Sequence, residues 1–307
     1  MPLDPHIQRL MGMLSLAPSS STVGLAQRRK AFRGLMQLAD TGARIGGSES
    51  RSVPGPAVPV PILIYSPTGP AGDSRPGLVF LHGGGFMCGD LNTHDALCRT
   101  LCEESGCRVI AIGYRLAPEH PFPAAIEDAQ AATLWVLDHV AELSLDPTRI
   151  AIAGDSAGAT LAAVVCHRIT RDRPGSFALQ LLLCPILDWT TDPARNFDNA
   201  HLLDATTIAL EREAYLPAGQ DAAHPDVSPL RALDLVGQPP AQIHTAEFDP
   251  VRDDGRVYAD RLRSAGVCVQ HTSHAGMVHL FYGLGRLVPS ARAALGRIGG
   301  DVRAALA

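Results

Sequence analysis

The chain has 307 residues, 46% of them apolar and 19% charged, with a formal net charge of −5. This is the composition of a packed globule of one large or two modest domains, and it gives no ground for nucleic acid or an anionic membrane surface as a partner. No run of about 18 apolar residues occurs, so no membrane-inserted helix is expected. The start, Met1-Pro-Leu-Asp-Pro-His6, lacks the basic and apolar regions of a signal peptide, so a cytoplasmic location is expected.

Seven cysteines occur, Cys88, Cys98, Cys102, Cys107, Cys166, Cys184 and Cys268, an odd number with no C-x-x-C pair. Reduced thiols in apolar surroundings are therefore expected, and no metal.

Ile7, Leu10, Met11 and Leu14 stand at helical spacing, and a second helical run spans Leu25 to Leu38. Residues Ala17 to Thr22 between them read as a loop. Residues 46–61, rich in Gly, Ser and Pro, read as a linker. Strands are then predicted at Val60–Tyr65, Leu78–His82, Arg108–Ile112, Arg149–Ala153, Leu179–Cys184, Gln242–Thr245 and Val267–His271. Helices are predicted at Thr93–Glu104, Ala124–Val140, Ala157–Thr170 and Arg252–Ala265. Apolar strands alternating with helices predict a mostly parallel central sheet covered on both faces. Residues 188–235 break the rhythm with one helix, Asp204–Tyr215, and read as an insertion.

Two glycine-rich motifs fall at strand ends. Gly154-Asp-Ser-Ala-Gly158 follows the strand ending at Ala153 and precedes a helix. A serine on so tight a turn has its hydroxyl pushed out of the sheet, with a helix N-terminus behind it. The plainer reading is a helix cap made by Asp155 or Ser156. His82-Gly-Gly-Gly-Phe86 follows the strand Leu78–Leu81, and three glycines let backbone N–H groups converge on one point, as an oxyanion requires. No nucleotide-binding glycine motif accompanies it. A serine nucleophile needs an acid and then a histidine further along the chain. Asp249 follows a strand, with Glu247, Asp253 and Asp254 as competitors, the last two expected to cap or solvate the next helix. His279 lies beyond the last strand, with His271 and His274 as competitors.

These motifs, with Tyr114-Arg-Leu-Ala-Pro-Glu-His-Pro-Phe-Pro-Ala-Ala125, Asp249-Pro-Val-Arg-Asp253 and Gly276-Met-Val-His279, resemble the bacterial hormone-sensitive-lipase-like esterases (family IV) of the α/β-hydrolase superfamily. The resemblance runs from about residue 60 to 285. It implies an α/β-hydrolase fold with a helical cap, built from residues 1–45 and 188–235 on a core of 46–187 and 236–307. It implies Ser156 as nucleophile, Asp249 as acid and His279 as base, with oxyanion donors at the N–H groups of Gly83, Gly84 and Ala157. Phe86, Cys88 and Leu280 are expected beside the substrate, and Leu10, Met11, Leu14, Leu202 and Leu203 are candidates for an acyl pocket. Ala159 and Leu280 stand where the family usually has glycine. The activity implied is that of a serine carboxylesterase acting on short- to medium-chain esters, with no cofactor, as a monomer or homodimer. The same triad would serve an amidase, formamidase or lactonase. A non-catalytic small-molecule-binding module would be expected to lack a triad member.

Overall fold

A computed structural model describes residues 2–14, 23–69, 74–191 and 201–307. The loop expected at Ala17–Thr22 lies outside the described residues. The elements run α1 (Pro5–Leu14), α2 (Leu25–Met36), β1 (Gly47–Val53), β2 (Val60–Ser66), β3 (Arg75–Leu81), α3 (Asp95–Ser105), β4 (Arg108–Ile112), α4 (Ala124–Asp138), β5 (Leu145–Asp155), α5 (Ala157–Asp172), β6 (Leu179–Leu183), α6 (Ala205–Tyr215), β7 (Ala241–Phe248), α7 (Arg252–Ser264), β8 (Val269–Val278) and α8 (Pro289–Ala305).

The eight strands form one sheet in the order β1-β2-β4-β3-β5-β6-β7-β8. β2 is antiparallel to both β1 and β4, and every other pair is parallel. Side chains alternate between the two faces. Val79 and Leu81 of β3 and Ile150 and Ile152 of β5 join one core, which α4, α5 and α7 close with Ile126, Leu161 and Leu262. Leu78, Phe80, Ala151 and Ala153 join the other, closed by Leu101 of α3 and Ile298 of α8. Each fully buried Val, Leu, Ile or Phe side chain among these contributes roughly 1.5–3 kcal/mol.

Several boundaries differ from the sequence expectation. Residues 46–61 are not all linker, because 47–53 form edge strand β1, zipped onto β2 from Gly47↔Ser66 to Val53↔Val60. Only Val53 of that strand is buried, so backbone pairing rather than an apolar pattern makes it. α6 starts at Ala205 because Asp204 is its cap, its side chain accepting from the Thr207 N–H at 2.7 Å. β7 and β8 are longer than expected and end at Phe248 and Val278, the residues just before Asp249 and His279. The terminal helix α8 was not foreseen, although Ala291, Leu295, Ile298 and Val302 carry its buried stripe.

α2 is fastened to the loops above the sheet. Arg29 donates through Nε to the Met87 carbonyl at 2.8 Å and pairs with Glu119 through Nη1 and Nη2 at 2.7 and 2.8 Å. Arg33 donates to Asp90 at 3.0 Å. No described helix is long and apolar enough to cross a membrane.

Candidate active site

Ser156 occupies the turn between β5 and α5 at φ 53°, ψ −121°, a left-handed conformation that costs a non-glycine residue of order 1–3 kcal/mol. The turn is possible because α5 starts against β3: a Cβ on Gly158 would collide with the carbonyl oxygens of Leu81 and His82. The β5–β6 and β3–β5 registers bring Asp155 beside Leu183 and Gly154 beside Leu81. Ser156 is thereby fixed at the C-terminal edge of the central strands, where α/β sheets bind ligands.

Three side chains from three strand ends meet there. His279 Nε2 lies 2.8 Å from Ser156 Oγ, and His279 Nδ1 lies 2.8 Å from Asp249 Oδ2. A carboxylate can only accept, so Nδ1 carries the proton and Nε2 presents its lone pair to the serine hydroxyl. Asp249 Oδ1 accepts from the Val251 N–H at 3.0 Å. All three residues are buried. Burial pushes the His279 ring down, but the charge and hydrogen bond of Asp249 outweigh it, so the ring is held above its ordinary value.

The competitors lie elsewhere. His274 Nε2 faces His244 Nδ1 at 3.1 Å, and His271 Nε2 faces Thr245 Oγ1 at 3.0 Å. Asp254 neither caps nor solvates α7: half-buried, it accepts from the N–H groups of Leu187 and Asp188 at 2.8 and 3.0 Å, and burial pushes its carboxyl up to about 7.

The glycine loop corrects one expectation. The Gly83 N–H donates to Asp155 Oδ1 at 2.9 Å and is not free for an oxyanion. The N–H groups of Gly84, Gly85 and Ala157 find no acceptor among the described residues. The available donors are therefore shifted by one residue, to Gly84 and Gly85, with Ala157 at the helix start. Gly84 has φ 117° and packs under the Cys88 carbonyl, a conformation open to glycine alone.

Phe86 is fully buried and stacks on Tyr215 of α6, with ring centroids 3.7 Å apart and planes 9° apart. It pins the glycine loop beneath α6 and leaves no surface of its own open to a ligand. Cys88 is buried, and its thiol is pushed up to about 11, by burial first and then by the charge of Glu211. Leu280 is buried at φ 63°, so its backbone adopts the left-handed form for which glycine is the ordinary choice. Of the apolar candidates, Leu10 and Leu203 are buried, Met11 and Leu202 half-buried and Leu14 exposed.

Cys184 was not foreseen. Its Sγ, an Asp249 carboxylate oxygen and a His279 ring nitrogen lie within 4.8 Å of one another. A metal would require the thiolate and a free imidazole nitrogen. Burial and the Asp249 charge instead raise the thiol well above its ordinary value, and both ring nitrogens are engaged. The group therefore reads as a buried thiol beside the acid, not as a metal centre.

Known proteins share this fold. A family model described as an alpha/beta hydrolase fold matches residues 78–283. The chain belongs to the α/β-hydrolases, in their hormone-sensitive-lipase-like branch. Carboxylic ester hydrolase LipN of Mycobacterium tuberculosis (strain ATCC 25618 / H37Rv) is 45% identical over 245 residues, which make up 77% of this chain and 64% of LipN. The chain thus spans just under two-thirds of the length of LipN. An arylesterase of Saccharolobus solfataricus is 32% identical over 289 residues, 92% of this chain and 93% of the relative. The structure of a hyperthermophilic esterase from Pyrobaculum calidifontis superposes with a TM-score of 0.93 at 34% identity, covering 100% of both chains. An α/β-hydrolase sheet is therefore the frame that holds Ser156, Asp249 and His279.

Proposed function

We propose that the chain is a serine carboxylesterase acting on short- to medium-chain acyl esters. The observation that carries this reading is the unbroken chain from Asp249 through His279 to Ser156, at 2.8 Å in each step, beside three N–H groups with no acceptor among the described residues. His279 takes the serine proton as Oγ attacks the ester carbonyl, and Asp249 stabilises the imidazolium. The N–H groups of Gly84, Gly85 and Ala157 hold the oxyanion, each worth roughly 3 kcal/mol of barrier. His279 returns the proton to the departing alcohol. Water, activated by the same histidine, then hydrolyses the acyl-enzyme.

Residues 1–45 and 188–235 serve as the cap in this reading, supported by the fastening of α2 to Met87 and Glu119 and by the stacking of α6 on Phe86. All seven cysteines are free thiols, which fits a reducing cytoplasmic setting.

The test is the rate across p-nitrophenyl esters from acetate to dodecanoate, run beside an amide and a lactone. Turnover is expected to peak among the shorter esters and to fall by about 10⁴-fold or more in Ser156→Ala. A folded Ser156→Ala retaining a tenth of the parent rate, or faster turnover of the amide or lactone, would overturn the proposal.

A further inference from the structure

Ester cleavage leaves one carboxyl group beside the glycine loop unused. Glu211 lies midway along α6, on the stripe shared by Ile208 and Tyr215, both buried. The helical pattern asks for an apolar residue at that position. Its carboxyl group instead packs on the α-carbon of Gly85, where a Cβ would collide with it. Among the described residues its carboxylate accepts no hydrogen bond and makes no ion pair within 4.0 Å.

The charged and titratable groups around it come from every neighbouring element: Arg28 of α2, His279 after β8, Cys88 of the glycine loop, and Asp204 at the start of its own helix. Arg28 is itself nearly buried and, among the described residues, makes no ion pair within 4.0 Å. Glu211 keeps partial contact with solvent although protein surrounds it. Burial outweighs the pull of Arg28 and His279 and lifts its carboxyl to about 7. Its contact with Gly85, whose N–H is among the donors without an acceptor, sets this half-buried carboxyl group on the oxyanion side of the triad.

A purely alkyl ester closing over this carboxyl group would strip its water and return nothing, which selects against such substrates. An ester bearing a hydrogen-bond donor would supply the missing partner. We propose that Glu211 is a specificity-determining residue that takes a hydroxyl or ammonium group carried by the substrate near its scissile carbonyl. An ester bearing a carboxylate meets like charge there and is rejected. This inference rests on the esterase reading above.

The test compares kcat/KM of the full chain for ethyl butyrate, ethyl 3-hydroxybutyrate, ethyl 3-aminobutyrate, 2-hydroxyethyl butyrate and ethyl hydrogen succinate. The parent is expected to favour a hydroxylated or aminated ester over ethyl butyrate and to use the succinate half-ester least. In Glu211→Leu the ratio of the best polar ester to ethyl butyrate is expected to fall by about 30-fold, the loss associated with a missing buried partner. Glu211→Gln, close in shape, is expected to keep the preference for hydroxyl and lose that for ammonium; it carries the test should the leucine variant not fold. A polar-to-alkyl ratio that moves less than about threefold in folded Glu211→Leu, or an ammonium preference that moves less than about threefold in Glu211→Gln, would reduce Glu211 to packing and overturn the inference. Failure of the parent on every ester would overturn the esterase reading itself, and this inference with it.

Discussion

Asp155 accepts the Gly83 N–H at 2.9 Å, and that bond ties the serine turn to the glycine loop across two neighbouring strands. The second carboxylate oxygen of Asp155 faces His94 Nε2 at 3.3 Å. Burial pushes the Asp155 carboxyl up, but His94 and His82 outweigh it and hold it below the usual carboxylate range. The residue next to the nucleophile is thus an ionised anchor whose grip on Gly83 leaves the following two N–H groups unoccupied.

Removing the anchor is expected to slow catalysis without emptying the triad. Asp155→Ala should lower kcat by roughly 10²-fold, the scale of a misplaced oxyanion donor, while Asp155→Asn, which keeps an acceptor oxygen, should lose less. Steady-state kinetics on a p-nitrophenyl ester decide it. An alanine variant within about threefold of the parent would mean that the loop holds its shape without Asp155.

The pH dependence follows from His279. Its ring must be neutral to take the serine proton, so kcat/KM is expected to rise with pH through one ionisation above about 6.5, because Asp249 holds the ring above that value. Asp249→Asn should move the ionisation down and cost about 10⁴-fold in kcat. The stability linkage has the opposite sense. A raised ring contributes stability fully below its unfolded value and loses it as pH rises through the folded one. Thermal melts should therefore show the advantage of the parent over His279→Gln shrinking between acid and alkaline pH.

Cys88 is expected to resist thiol reagents. A thiol held near 11 is almost wholly protonated at neutral pH, and the thiolate is the reactive form. Exposed Cys268 should be alkylated first, with no loss of activity. Peptide mapping after brief iodoacetamide treatment checks this. Inhibition that follows modification of Cys88 would show that the glycine loop opens in solution.

Deleting residues 1–45 should do more than shorten the chain. It removes buried Ile7, Leu10 and Met36 together with the bonds from Arg29 and Arg33 to Met87, Glu119 and Asp90. A lower melting temperature is expected, with slower turnover of every ester and the largest loss for the preferred acyl chain. An unchanged chain-length profile would retire the cap assignment for this segment.

The motifs were legible because they encode backbone geometry locally. A serine wedged between a strand and a helix needs Gly154 and Gly158 wherever the chain folds this way, and an anion-binding loop needs consecutive glycines. Asp249 and His279 were legible only with the resemblance, since Glu247, Asp254, His271 and His274 offer the same chemistry within a few residues. Strand ends chose among them: β7 stops just before Asp249 and β8 just before His279.

The remaining features depend on contacts between distant parts of the chain. Gly83, Gly84 and Gly85 are chemically identical in sequence, and the occupied N–H is set by a carboxylate 72 residues away. Strand β1 carries no apolar alternation, so only the pairing of its backbone with β2 reveals it. Glu211 reads as one acidic residue on a polar helix until α6 docks on Phe86 and turns that face onto Gly85. Local sequence therefore determined which residues can perform the chemistry. Tertiary packing decided which donors stay free and which side chains meet, because a polar group in a folded interior is defined by the partner that reaches it.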